Sequence, residues 1–504
     1  MDMDMDMELE SLKGRGSAPD TPSPLDLVCV GFGASALSIA VALHERRALD
    51  KTVFLERQPE ETWTPGSCSD STSPASRGRL RTSFLNDLVT SENPRSKFTF
   101  MNYLHATDRL VVYANSSQLH PSREMYADYL RWCAASFQHQ VSFGKQAKSI
   151  SPVSVPARER DGPGPGPVRA WNVVFVDVAT GRQDSIVANQ VICAVGLQHY
   201  IPTSLSSLGP GLSPSSGPVV HAAESLPRIA AVLRATGGEA RLAIVGDGQT
   251  AAELFDHLHG IRADHQVVWF TQDPVLRATD DTPFVADKTA RPTSKMGQTL
   301  PVELRRRAIG EGLGLATVPE PQSAIDRQLV ASIYEIQYGQ SVKQADANQW
   351  RFQIKLQHRL VGAERTANGQ VRLWFQQPES KDQDQDQDQN EGRRNVFDLV
   401  IAATGYARSE YKKLTQPLVA SGLLDGAQIT VDRDYQVNFR SGTCAAGCGL
   451  WLQGALEGDD TDDNLYPVLA ARSSRVVDSI LSQRSDRLNS DATAIPAEER
   501  VARL

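Results

Sequence analysis

The segment LDLVCVGFGASALSIAVAL, residues 25–43, decides the fold of this chain. A strand-length apolar run ends at Gly31 and Gly33, and a helix-length apolar run follows with Ala36 as the third small residue. A side chain at the first glycine would block the turn, and one at the second would hold the backbone away from a pyrophosphate on the helix N-terminus. The run nearly reaches the ~20 apolar residues of a membrane span, but Asp26 and the glycines favour a buried strand that turns into a helix. The segment therefore predicts a dinucleotide-binding turn, although a lone Gly-x-Gly can also be a tight turn without a ligand.

Other segments repeat and extend this pattern. Glu56 ends the strand TVFLE, 25 residues after Gly31. A carboxylate at this position typically accepts a hydrogen bond from a ribose hydroxyl of the dinucleotide. A second copy, RLAIVGDGQTAAEL, places Gly246 and Gly248 after another apolar strand, and a later strand ends in ATGY. Two such turns indicate one flavin and one nicotinamide cofactor. The alternative is an inactive duplicated fold.

The order of apolar segments predicts an α/β protein with two doubly wound, Rossmann-like domains, the second inserted in the first. We expect strand-turn-helix units at 26–46 and 241–258, a helix near 123–138, and strands at 52–55, 169–178, 189–195, 267–270 and 398–404. The expected divisions are a disordered tail at 1–24, an FAD-binding domain at 25–205 and 398–482, an NADPH-binding domain at 206–397 with substrate-region helices around 285–345, and a flexible tail at 483–504. The low-complexity stretches at 161–167 and 381–390 are interpreted as expanded hairpin loops.

Composition narrows the possible partners. The chain has 52 Lys and Arg against 60 Asp and Glu, a net charge of −8, which argues against nucleic acid and favours a small-molecule substrate. Six cysteines and ten histidines show no zinc, redox or other metal-ligand spacing, so we expect structural thiols and no metal. The acidic start MDMDMDMELE fits neither a secretory nor a mitochondrial leader. We therefore expect a cytoplasmic protein without a membrane anchor.

Nine segments of the chain resemble those of a known enzyme family and occur in the same order. GFGASALSIAVAL, FLER, SFLNDLVT, NPRSKFTFMNYL, REMYADYLRWCA, VGDGQTAAE, DDTPFV, ATGY and LQG occur in the order seen in fungal L-ornithine N(5)-monooxygenases, from about residue 25 to 480. The chain is identified as a member of these class B N-hydroxylating flavin monooxygenases. The resemblance implies FAD and NADPH as cofactors, and a flavin hydroperoxide that hydroxylates a neutral primary amine with molecular oxygen. It also implies a place in siderophore or secondary-metabolite biosynthesis and an association into homotetramers. No side chain is assigned a catalytic role, because the flavin carries the chemistry.

The same resemblance supplies the expected site residues. The cofactor-binding set is Gly31, Gly33, Ala36, Glu56, Trp63, Arg81, Gly246, Gly248, Gln249, Thr250, Arg277, Thr404 and Gly405. Thr404 and Gly405 match the segment that closes over the flavin. Thr250 replaces a family serine and keeps its hydroxyl, although it could equally be a helix cap, worth about 1 kcal/mol.

The substrate side departs from the family. Asn86 stands where relatives carry the lysine that pairs with the ornithine carboxylate, Ala286 replaces an asparagine, and Asn464 lies in an altered stretch after LQG. Each lost contact should cost on the order of 1.5–3 kcal/mol of binding. Arg79 and Arg81 could replace the positive charge, and the acidic residues 459–463 could hold an ammonium, but both groups could also be solvated loops.

One departure concerns the cofactor. Gln272 replaces the arginine that reads the 2′-phosphate of NADPH, so we expect NADPH preference to survive through Arg277 with weaker discrimination against NADH. Three alternatives for the activity remain open: ornithine, another amine such as lysine or aspartate, or a degenerate flavoprotein that only oxidises NADPH.

Overall fold

The computed structural model describes residues 24–63, 79–80, 82–154, 166–206, 208, 217–279, 325–376, 395–426, 428–454 and 465–494. The strands, in chain order, are β1 (Leu25–Val30), β2 (Thr52–Leu55), β3 (Val141–Ser142), β4 (Lys145–Ser154), β5 (Val168–Asp177), β6 (Gln183–Cys193), β7 (Gln198–His199), β8 (Val219–His221), β9 (Arg241–Val245), β10 (Gln266–Phe270), β11 (Phe352–Lys355), β12 (Arg359–Arg365), β13 (Val371–Gln376), β14 (Val396–Phe397), β15 (Leu399–Ala402), β16 (Tyr406–Ala407) and β17 (Gly449–Leu452). The α-helices are α1 (Ala34–Glu45), α2 (Phe100–Ala106), α3 (Leu110–Asn115), α4 (Arg123–Ala134), α5 (Thr203–Ser206), α6 (Ser225–Ala235), α7 (Gln249–His259), α8 (Arg327–Lys343), α9 (Glu410–Leu414), α10 (Gln416–Ala420) and α11 (Leu465–Ala494).

The first sheet has the order β3-β2-β1-β6-β5-β4, and β17 also pairs with β6. Its long strand β6 is shared, since its first half is antiparallel to β5 and its last residues are parallel to β17. Strands β1 and β2 are parallel to each other, and β1 is parallel to β6. The carboxyl ends of β1, β2, β6 and β17 therefore meet at one edge, which is where open α/β sheets bind ligands.

The second sheet contains five parallel strands in the order β11-β10-β9-β15-β8. Its strands read as nearly continuous apolar runs, as expected for a parallel sheet that is covered on both faces. Helices α7 and α8 pack against each other beside it. A three-stranded antiparallel sheet, β12-β13-β14, lies next to it in the chain.

The chain crosses between the two sheets twice, after β6 and after β15. The two crossing segments pair with each other through the antiparallel strands β7 and β16, with His199 opposite Tyr406 and Gln198 opposite Ala407. This short ladder ties together the two points where the polypeptide passes from one sheet to the other.

Helix α1 is held between the first sheet and the C-terminal helix. Nine of its residues are buried, and α11 packs along it. Arg46, just after α1, donates to the Asp478 carboxylate at 2.7 Å and also to Ser474. The apolar run at 25–43, which nearly has the length of a membrane span, therefore forms part of the core of the first domain.

Most sequence expectations for the elements are confirmed, including both strand-turn-helix units. Strand β4 is antiparallel to β5, and β13 is antiparallel to β14. The low-complexity stretches expected to be hairpin loops lie outside the described residues, apart from residues 166 and 167. Within the described residues, no helix combines the length and hydropathy needed to cross a bilayer.

Two expected domain boundaries are wrong. The strand at 398–404 is expected in the FAD-binding domain. It is β15, which lies between β9 and β8 in the second sheet. The chain rejoins the first sheet only at β17. The expected flexible tail from residue 483 is also wrong at its start, since α11 continues to residue 494 and Arg484 donates to the buried Gln190 at 2.9 Å. The expected tail at 1–24 lies outside the described residues except for its last residue.

Candidate functional site: two glycine turns beside the crossing segments

The first glycine turn follows β1 at the carboxyl edge of the first sheet. Gly31 has φ +98°, and its N–H donates to the Leu55 carbonyl at 2.7 Å. A Cβ at this position would lie 2.5 Å from the carbonyl oxygen of Ala194, the first residue after β6. Both the positive φ and the crowding demand glycine, as the sequence predicted.

The second glycine of this turn faces open space. Gly33 is the N-cap of α1, has an ordinary φ of −79°, and a Cβ there would meet no described atom within 4 Å. No described side chain caps the helix, and its first turn carries no acidic residue. The free N–H groups and the helix dipole therefore point into a space that suits an anion such as a pyrophosphate. Ala36 is completely buried and allows close packing of the helix.

Glu56 links the end of β2 to this turn. Its Oε2 accepts a hydrogen bond from the Phe32 N–H at 2.8 Å, and its Oε1 accepts from the Gln58 N–H at 2.9 Å. A carboxylate has lone pairs for about four hydrogen bonds, so two remain for ribose hydroxyls. The structure thus places Glu56 beside the first glycine turn, and its contact with a ribose stays a prediction.

Trp63 stacks on the middle residue of the turn. Its ring lies 5.3 Å from that of Phe32 at an interplanar angle of 28°, and Phe143 packs edge-on against both. These three rings, with Glu60 and Gln138 among the other lining residues, border a cavity of about 420 Å³. Ligand pockets commonly have volumes of roughly 300–1,000 Å³. An aromatic wall beside a phosphate-binding turn suits the adenosine end of a dinucleotide.

The second glycine turn, after β9, repeats the first. Gly246 has φ +146°, and a Cβ there would overlap the carbonyl group of Ala403, the first residue after β15. Gly248 is the N-cap of α7, again without a side-chain cap among the described residues and without an acid in the first turn. A second helix N-terminus is therefore available to a second anion.

Asp247, between these two glycines, is a site residue that the sequence reading did not identify. Its Oδ1 accepts hydrogen bonds from the Thr271 hydroxyl and from the Gln272 N–H, the latter at 2.7 Å. Both partners follow β10. A residue in the middle of a Gly-x-Gly motif carries no local signal of its partner, because the strand end it reaches is 24 positions away.

Gln249 and Thr250 open helix α7. The Gln249 amide donates to Glu253 at 2.9 Å and its oxygen accepts from the Asp326 N–H at 2.7 Å, so this side chain ties α7 to the start of α8. Thr250 is half-buried in the first turn. Glu253 also faces Arg123 of α4 at 3.8 Å, and burial raises the pKa of its carboxyl. Gln249 thus acts through its side chain as a structural brace, leaving its backbone N–H for a cofactor.

Thr404 and Gly405 lie in the second crossing segment. The Thr404 hydroxyl donates to the Tyr200 carbonyl, and the Gly405 carbonyl accepts from the Tyr200 N–H at 3.1 Å. Gly405 has φ +76°. These bonds join the two crossing segments, so Thr404 and Gly405 lie between the two glycine turns.

A histidine pair supports this crossing. His221 donates through Nε2 to the Gly405 carbonyl at 2.9 Å, while its Nδ1 accepts from the Ala223 N–H, which defines a neutral ring. The ring of His199 stacks on it at 4.3 Å. Burial lowers the pKa of His221 to about 4, and the neighbouring His199 adds to the effect.

The segment around Asn86 packs between α1 and α4. The Asn86 amide donates to the Thr82 hydroxyl at 2.6 Å, so it is used within its own loop. The neighbouring Asp87 is buried and accepts from the N–H groups of Val89, Thr90 and Phe100, while burial raises the pKa of its carboxyl. The specific SFLNDLVT motif is therefore, in part, a structural element beside the first dinucleotide turn.

Of the remaining expected residues, the structure describes Arg79 and Arg277. Arg79 donates to the His120 carbonyl at 2.9 Å, and Arg277 lies on a segment that pairs with Ile325. Arg81, Ala286, Asn464 and the acidic residues 459–463 lie outside the described residues. Among the described side chains, no group of three or more His, Cys, Asp or Glu is placed to hold a metal ion.

Comparison with known proteins agrees with this geometry. The model of the L-lysine 6-monooxygenase/L-ornithine 5-monooxygenase family matches residues 23–408. The L-ornithine N(5)-monooxygenase of Ajellomyces capsulatus is 32% identical over 452 residues, 88% of each chain. The solved ornithine hydroxylase of Pseudomonas aeruginosa is 28% identical with a TM-score of 0.71 and covers 91% of this chain and 99% of its own. The ornithine N-hydroxylase of Kutzneria sp. 744 is 27% identical with a TM-score of 0.71, covering 92% and 100%. These matches confirm the two-domain fold class, and the chain belongs to the L-lysine 6-monooxygenase/L-ornithine 5-monooxygenase family of flavin-dependent oxidoreductases.

Proposed function

We propose that this protein is an FAD- and NADPH-dependent monooxygenase that hydroxylates the primary amine of L-ornithine. The observation that carries the proposal is the pair of uncapped glycine turns, each packed against the first residue of a crossing segment. Two dinucleotides bound there would extend toward the same crossing, as hydride transfer between them requires. The related Kutzneria enzyme was solved with reduced FAD, NADP⁺ and L-ornithine.

The residues of the first turn fit FAD. The N-terminus of α1 would hold the pyrophosphate, Glu56 the ribose, and the Phe32 and Trp63 rings the adenosine end. The N-terminus of α7 would hold the pyrophosphate of NADPH in the same way. When bound, the flavin supplies the redox chemistry, taking a hydride from NADPH and activating molecular oxygen.

The protein must present a neutral amine to the flavin and hold the segment between the two cofactors. The overall reaction is amine plus O₂, NADPH and a proton, giving hydroxylamine, NADP⁺ and water. Only a neutral amine has the lone pair that this reaction needs, so the site must bind the amine deprotonated or take the proton from it. Thr404 and Gly405, fixed to Tyr200, hold the segment between the two cofactors in place.

The side chain at position 86 bears on the choice of substrate. Asn86 carries no charge and its amide is bonded to Thr82, so it supplies no ion pair to an amino-acid carboxylate. This observation favours a second candidate, the same N-hydroxylation on a different amine such as lysine or aspartate. A degenerate flavoprotein that reduces oxygen to peroxide is the outcome that would remain if no amine were hydroxylated.

The test is NADPH-dependent oxygen uptake by the purified flavin-loaded protein with L-ornithine, lysine, aspartate and simple diamines, with hydroxylamine product and hydrogen peroxide measured together. Hydroxyornithine in proportion to NADPH supports ornithine as the substrate. Product from another amine supports the second candidate, and peroxide alone with every amine contradicts both.

A matched pair of variants tests Asn86 directly. Asn86→Lys restores the charge that the family resemblance implies at this position and should lower the KM for L-ornithine, by roughly 10- to 150-fold if a charge-assisted bond of roughly 1.5–3 kcal/mol is regained. Asn115→Lys adds the same charge at an exposed helix end and should leave the KM unchanged. An unchanged KM in Asn86→Lys would indicate a pocket built for another amine.

We further propose a cytoplasmic enzyme that assembles as a homotetramer, on the strength of the family resemblance. Light scattering on the purified protein tests the assembly.

A further inference from the structure

Asp247 occupies a fixed position in the second glycine turn. Its Oδ1 receives two hydrogen bonds, from the Thr271 hydroxyl and the Gln272 N–H. Thr271 is itself buried, and its backbone carbonyl accepts from the His358 N–H at 2.9 Å. The carboxylate is therefore held across the gap between the turn and the end of β10.

The first turn contains the same bridge built in the opposite direction. There Glu56, after β2, reaches back to the N–H of Phe32, the middle residue of the turn. In the second turn the middle residue carries the carboxylate, and the residue after the strand supplies the N–H. Each nucleotide-binding domain therefore has one carboxylate between its turn and the end of its second strand.

In dinucleotide-binding folds, a carboxylate about 20 residues after the glycine turn accepts from the adenosine 2′-hydroxyl, whereas a nearby arginine accommodates a 2′-phosphate. Here Gln272 stands at the corresponding strand end, and the Asp247 carboxylate accepts from its N–H. We propose that Asp247 reads the 2′-position of the nicotinamide dinucleotide and lowers the preference of this enzyme for NADPH over NADH. The inference rests on the proposed function and names the residue that sets its cofactor selectivity.

The chemistry of the two cofactors differs at this position. A 2′-hydroxyl can donate to a carboxylate, whereas a 2′-phosphate brings negative charge and few or no donors. Both hydrogen bonds from the described residues end on Oδ1, so Oδ2 is available to a ribose hydroxyl.

Among the described residues 271–279 that follow β10, Arg277 is the one basic residue that could offset Asp247. Gln272 is exposed and uncharged, and the next residue is Asp273. Arg277 is five positions after Gln272, on the segment that pairs with Ile325. In this proposal Asp247 opposes the 2′-phosphate of NADPH and accepts from the 2′-hydroxyl of NADH.

The isosteric variant Asp247→Asn isolates the charge, because the amide oxygen can still accept from Thr271 and Gln272. The experiment measures anaerobic reduction of the bound flavin, as kcat/KM, with NADPH and with NADH. The NADPH to NADH ratio should rise about tenfold in Asp247→Asn, since one like charge beside the phosphate is removed. Asp264→Asn, a charge change at an exposed acid of the same domain, should leave the ratio unchanged.

A second readout separates this inference from the proposed function. Calorimetry on the flavin-loaded protein compares 2′,5′-ADP with 5′-AMP, and Asp247→Asn should strengthen binding of the first relative to the second. An unchanged ratio in both measurements would overturn the role of Asp247 while leaving the proposed function intact. Flavin that neither nicotinamide reduces would overturn the proposed function, and the fragment titration would then still decide the role of Asp247. Failure of the wild type to bind either fragment would overturn both.

Discussion

The two glycine turns are alike at the helix N-termini that we propose bind phosphate, and they differ at the carboxylates that we propose contact the adenosine ribose. In each, a glycine of positive φ packs against the first residue after a neighbouring strand, Ala194 or Ala403. In each, a second glycine begins a helix that no described side chain caps. The carboxylate, however, comes from the strand end in the first turn and from the turn itself in the second. The shared fold therefore gives both turns an open helix N-terminus, while the single side chain that bridges turn and strand end differs between them.

The surroundings of the two helices differ as well. Helix α1 is buried along most of its length between the sheet and α11. Helix α7 has an amphipathic pattern and shares a polar junction with α4 and α8 through Glu253 and Gln249. The first turn thus leads into a helix with mainly apolar packing, whereas the second leads into a helix that begins with a polar junction.

The largest effect is expected from Gly31→Ala and Gly246→Ala. Each places a Cβ against a backbone carbonyl at positive φ, so each should cost at least about 3 kcal/mol of local stability. We expect Gly31→Ala to lose flavin, and Gly246→Ala to remain yellow but to lose reduction by nicotinamide. Thermal unfolding and flavin content measure both effects. Gly144→Ala, at φ +66° but with open space around its Cβ, is the control and should retain both functions. Loss of flavin in Gly246→Ala alone would contradict the assignment of the turns.

Gly33→Val should separate folding from cofactor binding. Because Gly33 has an ordinary φ and open space beside it, the apoprotein should unfold near the wild-type temperature. The valine would fill the pyrophosphate space, so bound flavin should fall at least about tenfold. Flavin content after denaturation is the measurement, and a holoprotein of normal colour would refute the assignment of this turn.

Glu56→Gln tests the carboxylate of the first turn. The amide oxygen can keep a bond to the Phe32 N–H, but the bonds to ribose lose their charge, so FAD should bind about tenfold more weakly. Asp247→Asn should leave FAD affinity unchanged. Titration of the two apoproteins with FAD compares them, and equal weakening in both would break the distinction between the turns.

The smallest effect concerns the crossing between the turns. His221 is neutral in the folded protein with a pKa of about 4, below its ordinary value of 6.5. The unfolded chain therefore binds more protons between these values, and stability that is present above about pH 6.5 is lost as the pH falls toward 4. In His221→Gln the melting temperature should fall less steeply over this range. An identical slope for variant and wild type would show that other groups carry the acid sensitivity.

The sequence was sufficient for those features that depend on local pattern. The turn around Gly31, the turn around Gly246 and the position of Glu56 at a strand end follow from the sequence pattern, and the structure places them as predicted. The ribose contact of Glu56 stays a prediction. The partner of β15 could not be predicted, since a short buried apolar strand reads the same in either parallel sheet. The polar sequence after residue 483 resembled a tail, because the burial of Arg484 against Gln190 depends on a strand far away in the chain.

The role of Asp247 was hidden for a related reason. Its partners follow β10, and only the folded sheet brings that strand end beside the turn. The His199 and His221 stack likewise depends on how two crossing segments pair. Contacts between distant segments, rather than the elements themselves, were the part that pattern alone did not reveal.

The most direct test of the two-turn account is anaerobic titration of the purified yellow protein with NADPH, in the wild type and in Gly246→Ala. We expect stoichiometric FAD in both proteins, bleaching of the flavin in the wild type, and no bleaching in the variant. Wild-type protein that releases no flavin on denaturation, or a Gly246→Ala variant that NADPH bleaches as fast as the wild type, would contradict it.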